Sequence, residues 1–275
     1  MSGFFKWLRG HSQGINDYEI VVALASDPGC CRPNNEDSVQ FFSPQGDPRS
    51  ALAVVADGMG GHNAGEIASR EAITAIGSRY FLQPSSSHSR ILRLGFSDAN
   101  ARIFALAKQH PEWAGMGTTA TALLIGKGMA CYAHVGDSRL YRVRGGAMEQ
   151  LSTDHTLVAA LAKDGLIPSE GIANHPDRNV ITRAIGTKPS VEVEVGESEW
   201  PIQIGDTYLL CSDGLYDMVT GQDIESILRE NSLSEACDLL IQAARNNGGY
   251  DNVSAIVLAI REQRLAHSAP PPTKM

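Results

Sequence analysis

The stretch ALAVVADGMGGH, residues 51–62, joins a six-residue apolar run to an aspartate followed by glycines. The run reads as a strand that goes straight into Asp57, and the small residues beyond it let the backbone approach whatever the carboxylate binds. A helix follows, with Asn63 as its cap, Glu66 at the third helical position, and Ile67, Ile73 and Ile76 along it. The strand-then-aspartate device recurs at Asp137 in VGDSR, Asp213 in CSDGL and Asp251 in YDNVS. One acidic strand end is ordinary, because Asp favours turns. Four predict a carboxylate cluster, and oxygen ligands of this kind suit hard divalent ions such as Mg²⁺ or Mn²⁺.

Outward from that stretch, strands are expected over 20–25 and 38–42, and then over 119–125, 129–135 and 140–143, with Asp137 closing the second of these three. Residues 91–109 read as a helix burying Leu92, Phe96, Ile103, Phe104 and Leu106. From His155 to about Arg183 the chain is mostly irregular, with a short helix near 157–163, and is long enough to be a functional loop. VEVEV, residues 191–195, alternates as a half-exposed strand. A strand at 207–211, a helix around 224–229, a second helix opening on the Ser232–Glu235 capping box and a last strand over 253–260 complete the pattern. Many strands without regular βα alternation, with two long helices early and two late, predict an α+β layered domain over 18–262. The aspartates should then meet at one rim of the sheets. Residues 1–17 read as an extension in which Phe4, Phe5, Trp7 and Leu8 are the apolar positions, and 263–275 as a disordered tail.

The 275 residues are 43% hydrophobic, and the net charge of −8, from 23 basic and 31 acidic side chains, gives no footprint for a nucleic acid. No run reaches the roughly 18 apolar residues of a membrane span. Five cysteines, Cys30, Cys31, Cys131, Cys211 and Cys237, lack the paired spacing of a zinc site and fit a reducing cytoplasm. Cys211 and Met116 read as packing residues, and His134 and His155 as hydrogen-bonding scaffold.

RPNNED at 32–37, DGMGGH at 57–62, GTT at 117–119, GDSR at 136–139, ITRAIG at 181–186, SDGL at 212–215 and DNVS at 251–254 occur in order along the chain. Together they resemble the signature of the metal-dependent protein serine/threonine phosphatases of the protein phosphatase 2C type, in their compact bacterial form. The resemblance runs from about Tyr18 to Arg261. It implies a four-layer αββα sandwich, two packed antiparallel sheets flanked by helices. It also implies hydrolysis of phosphoserine and phosphothreonine by a hydroxide held between two Mn²⁺ or Mg²⁺ ions. By that resemblance Asp57 bridges the ions, the Gly58 carbonyl binds one, Asp213 and Asp251 hold the other, Glu36 acts through water and Asp137 serves a possible third ion. Arg32 is the expected phosphate clamp, since a guanidinium fork matches two phosphoryl oxygens. Asp37 and Asn252 adjoin these ligands and are expected to hydrogen-bond them. Animal relatives place a histidine directly after the DG pair as general acid. Here that position is Met59, and His62 lies three residues on.

The partners so implied are phosphorylated proteins, among them a bacterial Ser/Thr kinase and its substrates. A catalytically inactive phosphoprotein-binding module of the same fold is the alternative. A nucleotide-binding loop is disfavoured because GMGG is incomplete and Asp57 would face the pyrophosphate. A two-metal nuclease is disfavoured by the acidic charge balance.

Overall fold

The computed structural model describes residues 18–60, 64–82, 86–168, 171–172, 175–196 and 198–263. The expectations for the 1–17 extension, for His62, for the Asn63 cap and for the tail beyond Gln263 lie outside the described residues.

Strand β3 (Ala51–Met59) shows why the chain folds in layers. Its residues are buried on both faces: Leu52, Val54 and Ala56 pack outward against helices, while Ala53 and Val55 pack inward against a second sheet. A strand with no wet face must be apolar at every position rather than at alternate ones, and residues 51–56 are. Around β3 stand β2 (Asp37–Phe42) on one side and β5 (Ala120–Gly126), then β6 (Met129–Val135), on the other, all antiparallel. Helices α1 (Ala64–Leu82) and α2 (His88–Gln109) cover the outer face of this sheet.

The second sheet runs in the order β1 (Tyr18–Asp27), β12 (Val253–Glu262), β11 (Thr207–Cys211), β7 (Arg139–Arg144), β8 (Ala147–Gln150). Strand β12 repeats the logic of β3. Val253, Ala255, Val257 and Ala259 face α5 (Gly221–Glu230) and α6 (Leu233–Asn246), and Ile256, Leu258 and Ile260 face the first sheet. The inner core between the sheets includes Leu123, Ile125, Leu140, Tyr208 and Leu210, each at most 1% exposed. Each such aliphatic side chain contributes roughly 1.5–3 kcal/mol by leaving water. Three cores separated by two sheets make four layers, αββα. The α6 capping box forms as its sequence implies: the Ser232 hydroxyl accepts from the Glu235 N–H, and Glu235 accepts from the Ser232 N–H.

Several boundaries differ from the sequence expectation. Strand β3 does not stop at residue 56 but continues through Asp57 to Met59, because a two-residue strand, β4 (Gly117–Thr118), pairs with Gly58 and Met59. Asp137 lies two residues beyond the end of β6, in the turn to β7. Of VEVEV only β9 (Glu194–Val195) is strand, where β6 offers a partner. The alternation is nonetheless real, since Val191, Val193 and Val195 all pack on the outer core. Phe104, expected buried, is half-buried with the Lys108 ammonium 4.6 Å from its ring centre. Strand β8, strand β10 (Trp200–Pro201) and helix α4 (Asp213–Tyr216) have no counterpart in the expected elements. Helix α3 (Leu157–Lys163) does. No helix among the described residues is long and apolar enough to cross a membrane.

Candidate active site at the sheet rim

The strand ends on one rim deliver their carboxylates to a cleft of about 630 Å³. Arg32, Glu36, Asp57, Gly58, Asp137, Asp213 and Asp251 all line it, as do Asn34, Met59, Thr119, Asn179, Ile181 and Asn252. All seven residues singled out in the sequence are therefore brought together, from segments far apart in the chain.

Several are fixed by hydrogen bonds to their own main chain. The Asp57 N–H donates to the Thr119 hydroxyl at 3.1 Å, and the Asp57 carbonyl accepts from the Thr118 hydroxyl and the Thr119 N–H, both at 2.8 Å. The Glu36 N–H donates to the Asn252 side-chain oxygen at 2.8 Å, and the Asn252 side-chain nitrogen donates to the carbonyls of Pro28 and Asn34. Asn252 thus ties the loop before β2 to the turn before β12. Asp213 opens the one-turn helix α4, and Asp251 meets Arg32 at 2.7 Å on the rim, where the arginine side chain is 54% exposed.

Two glycines allow this closeness. A Cβ on Gly58 would lie 2.1 Å from the Gly65 carbonyl oxygen, and one on Gly214 would lie 2.0 Å from that of Asn252. Any side chain there would push the Asp57 and Asp213 backbones away from their neighbours.

Electrostatically the cleft is overcharged. Burial, then Asp37 and the other rim aspartates, pushes the Asp57 carboxyl well up from its usual range; burial, then Asp137, does the same to Asp213. Burial raises Asp137 to about 7 against the pull of Arg139, and raises Asp37 to about 6 although Ser212 donates to it at 2.7 Å. Glu36 is shifted upward by its burial as well. One oxygen of Asp213 and one of Asp37 are buried with no hydrogen-bond partner, a costly state for a carboxylate.

That donor set suits a hard cation: oxygens only, several ionisable, and one of them, on Asp213, orphaned. Among the described residues no group of three His, Cys, Asp or Glu side chains is already gathered as an ion cage. The walls leave room for water oxygens in an ion's shell, as Mg²⁺ sites require.

The segment after β8, which contains α3, borders one side of the cleft. Its neck is pinned where Thr156 pairs with Ile181, the Leu157 N–H donates to the Val180 carbonyl at 2.8 Å and the Thr182 N–H donates to the His155 carbonyl at 2.7 Å. Asn179 and Ile181 reach the cleft from that neck.

The family model for protein phosphatase 2C matches residues 33–248. The chain belongs to the protein phosphatase 2C family. A serine/threonine phosphatase, stp, of Listeria welshimeri is 37% identical over 238 residues, 85% of this chain and 93% of the relative. The crystal structure of the Mycobacterium tuberculosis serine/threonine phosphatase PstP/Ppp matches with a TM-score of 0.81 at 36% identity, over 89% of this chain and all of that one. A structure of the PstP catalytic domain in complex with two manganese ions matches at 0.79 and 35% identity, with 89% and 100% covered.

Within this member of the family, sequence reading missed how the rim is supported. Thr118 and Thr119 fix Asp57, and the GTT string was the signal for them. His134 and His155 do act as scaffold. His134 bonds the Thr121 hydroxyl at 2.8 Å and the Gly136 carbonyl at 2.9 Å, and His155 Nδ1 accepts from the Gly136 N–H at 3.1 Å. Tyr216, which bonds the Asp137 carbonyl, gave no signal, because a lone tyrosine after SDGL reads as core.

Proposed function

We propose that this chain is a metal-dependent protein phosphatase that hydrolyses phosphoserine and phosphothreonine in other proteins, opposing a Ser/Thr kinase. The observation that carries the reading is the convergence of Asp57, Asp137, Asp213 and Asp251 on one cleft, with Arg32 at its mouth. Asp57, the Gly58 carbonyl, Asp213, Asp251 and, through water, Glu36 would hold two Mn²⁺ or Mg²⁺ ions, and Asp137 would serve a third; such ions, when bound, would supply Lewis acidity for the water and the phosphoryl oxygens. The chain's own residues do the rest. Arg32 orients the phosphate with a fork that matches two of its oxygens. Its ion pair with Asp251 keeps the guanidinium aimed at the rim until then. Asn252 and Thr119 hold the carboxylate segments still, so little reorganisation is required during the reaction. Met59 has no proton to give, so proton delivery to the leaving alkoxide falls to His62 or to water in the cleft.

Incubation with Mn²⁺ should release phosphate from a phosphothreonine peptide and leave a nucleoside triphosphate and single-stranded DNA intact. Cleavage of either of the latter with the peptide untouched would overturn the reading.

Arg32→Ala should raise KM and lower kcat/KM by about 10–100-fold, the size of one charge-assisted contact, while Mn²⁺ affinity measured by calorimetry holds. A collapse of metal affinity at constant KM contradicts the clamp. The loop over the cleft governs access for large substrates. Replacing residues 166–175 by a short Gly/Ser connection, which leaves the Thr156–Ile181 neck in place, should change kcat/KM several-fold more for phosphopeptides than for p-nitrophenyl phosphate. Equal effects on both substrates would mark the loop as a structural cover only.

A further inference from the structure

Asp137 stands in a turn, outside any strand ladder, so something else must set its carboxylate. A ring of contacts behind the cleft does so. Tyr216 is the last residue of α4, the helix that opens with Asp213, and its hydroxyl donates to the Asp137 carbonyl at 3.0 Å. The Arg139 guanidinium lies 3.5 Å from the centre of the Tyr216 ring. It is held there by Asp154 through contacts of 3.0, 3.1 and 2.7 Å, and by the Tyr141 hydroxyl at 3.0 Å. On the other side of the turn, Gly136 exchanges two hydrogen bonds with His155. The next residue after Tyr216, Asp217, receives Arg178 and Asn179 of the segment bordering the cleft at 3.5 Å each.

A phenylalanine would satisfy the packing and the stacking at position 216. The hydroxyl adds one specific thing, a link between the segment bearing Asp213 and the segment bearing Asp137. We propose that Tyr216 is a positioning residue for the ion site, holding the Asp137 carboxylate in register with Asp213 through the Asp137 carbonyl. This role rests on the phosphatase reading above. It acts on ion binding and does not require Tyr216 to touch substrate.

Tyr216→Phe keeps the ring and the Arg139 stack and removes only the donor. Mn²⁺ binding to the full chain, followed by calorimetry without substrate, should show the weakest class of site losing on the order of 2–10-fold in affinity, the measure of one net hydrogen bond. The thermal midpoint in EDTA should move by no more than about 2–4 °C. In an Asp137→Asn background the same replacement should add nothing to the loss, because the carboxylate through which it acts is gone. Unchanged isotherms in Tyr216→Phe, or an equal loss in both backgrounds, overturn the positioning role. A wild-type chain that binds no Mn²⁺ is a separate result, which removes the phosphatase reading and this role together.

Discussion

Asp57→Asn is expected to lower kcat for a phosphothreonine peptide by about 10³-fold or more. Asp57 lines the cleft in register opposite Asp37, and its main chain is fastened by Thr118 and Thr119. The amide substitution preserves shape and those main-chain bonds but removes the charge that the proposed ions share. Metal-ion catalysis supplies several kcal/mol of transition-state stabilisation, and each 1.4 kcal/mol or so is tenfold in rate. The fold should persist. Removing one of several mutually repelling carboxylates relieves like-charge repulsion, so the metal-free variant should melt no lower than the wild type. Near-normal turnover at saturating Mn²⁺ would show that Asp57 holds no catalytic ion.

Chelation is expected to abolish phosphate release, and excess Mn²⁺ to restore it. The pH dependence of stability gives this test a second readout. A carboxyl whose folded pKa exceeds its unfolded value of about 4 binds its proton more tightly when folded. Its stabilisation is full below that value and is lost as pH rises through the folded one. Asp37 at about 6 and Asp137 at about 7 place that loss between about pH 4 and 7, with Asp57 and Asp213 also shifted upward. His134, which burial holds down at about 4, works in the opposite direction as pH rises from 4 toward its ordinary 6.5, and it does so with or without ions. The informative quantity is therefore the difference between the melting midpoints in Mn²⁺ and in EDTA. It should widen as pH rises from 5 to 7.5, as the ions displace fewer protons. A difference that stays flat across that range would contradict ion binding at these carboxylates.

The layers were legible because residues 51–56 of β3 and 255–260 of β12 are apolar without a break, and the helices because caps such as Ser232 announce them. Asp57, Asp137 and Asp213 were legible because each comes after an apolar run and beside a small residue, whereas Asp251 comes before one, in the turn that opens β12. What was not legible depends on partners remote in sequence. Strand β3 runs to Met59 only because Gly117 and Thr118 come alongside it, and two-residue strands have no periodicity to read. Glu194 and Val195 become strand only where β6 lies beside them. The orphaned oxygens of Asp37 and Asp213, and the grip of Tyr216 on Asp137, are products of packing. No spacing in the chain encodes them.

The register of the second sheet bears on how this protein is made. Its first described strand, β1, lies against its last, β12, from Tyr18 opposite Glu262 to Asp27 opposite Val253, and β11 needs β12 on its other flank. During synthesis β1 leaves the ribosome well before β12, which among the described strands is its one neighbour in the sheet. That sheet closes only when β12 emerges. Pairings between segments so distant in sequence are slow to form and leave strand edges open meanwhile. The finished cleft therefore waits on a pairing between segments far apart in sequence, since Asp251 and Asn252 come immediately before β12.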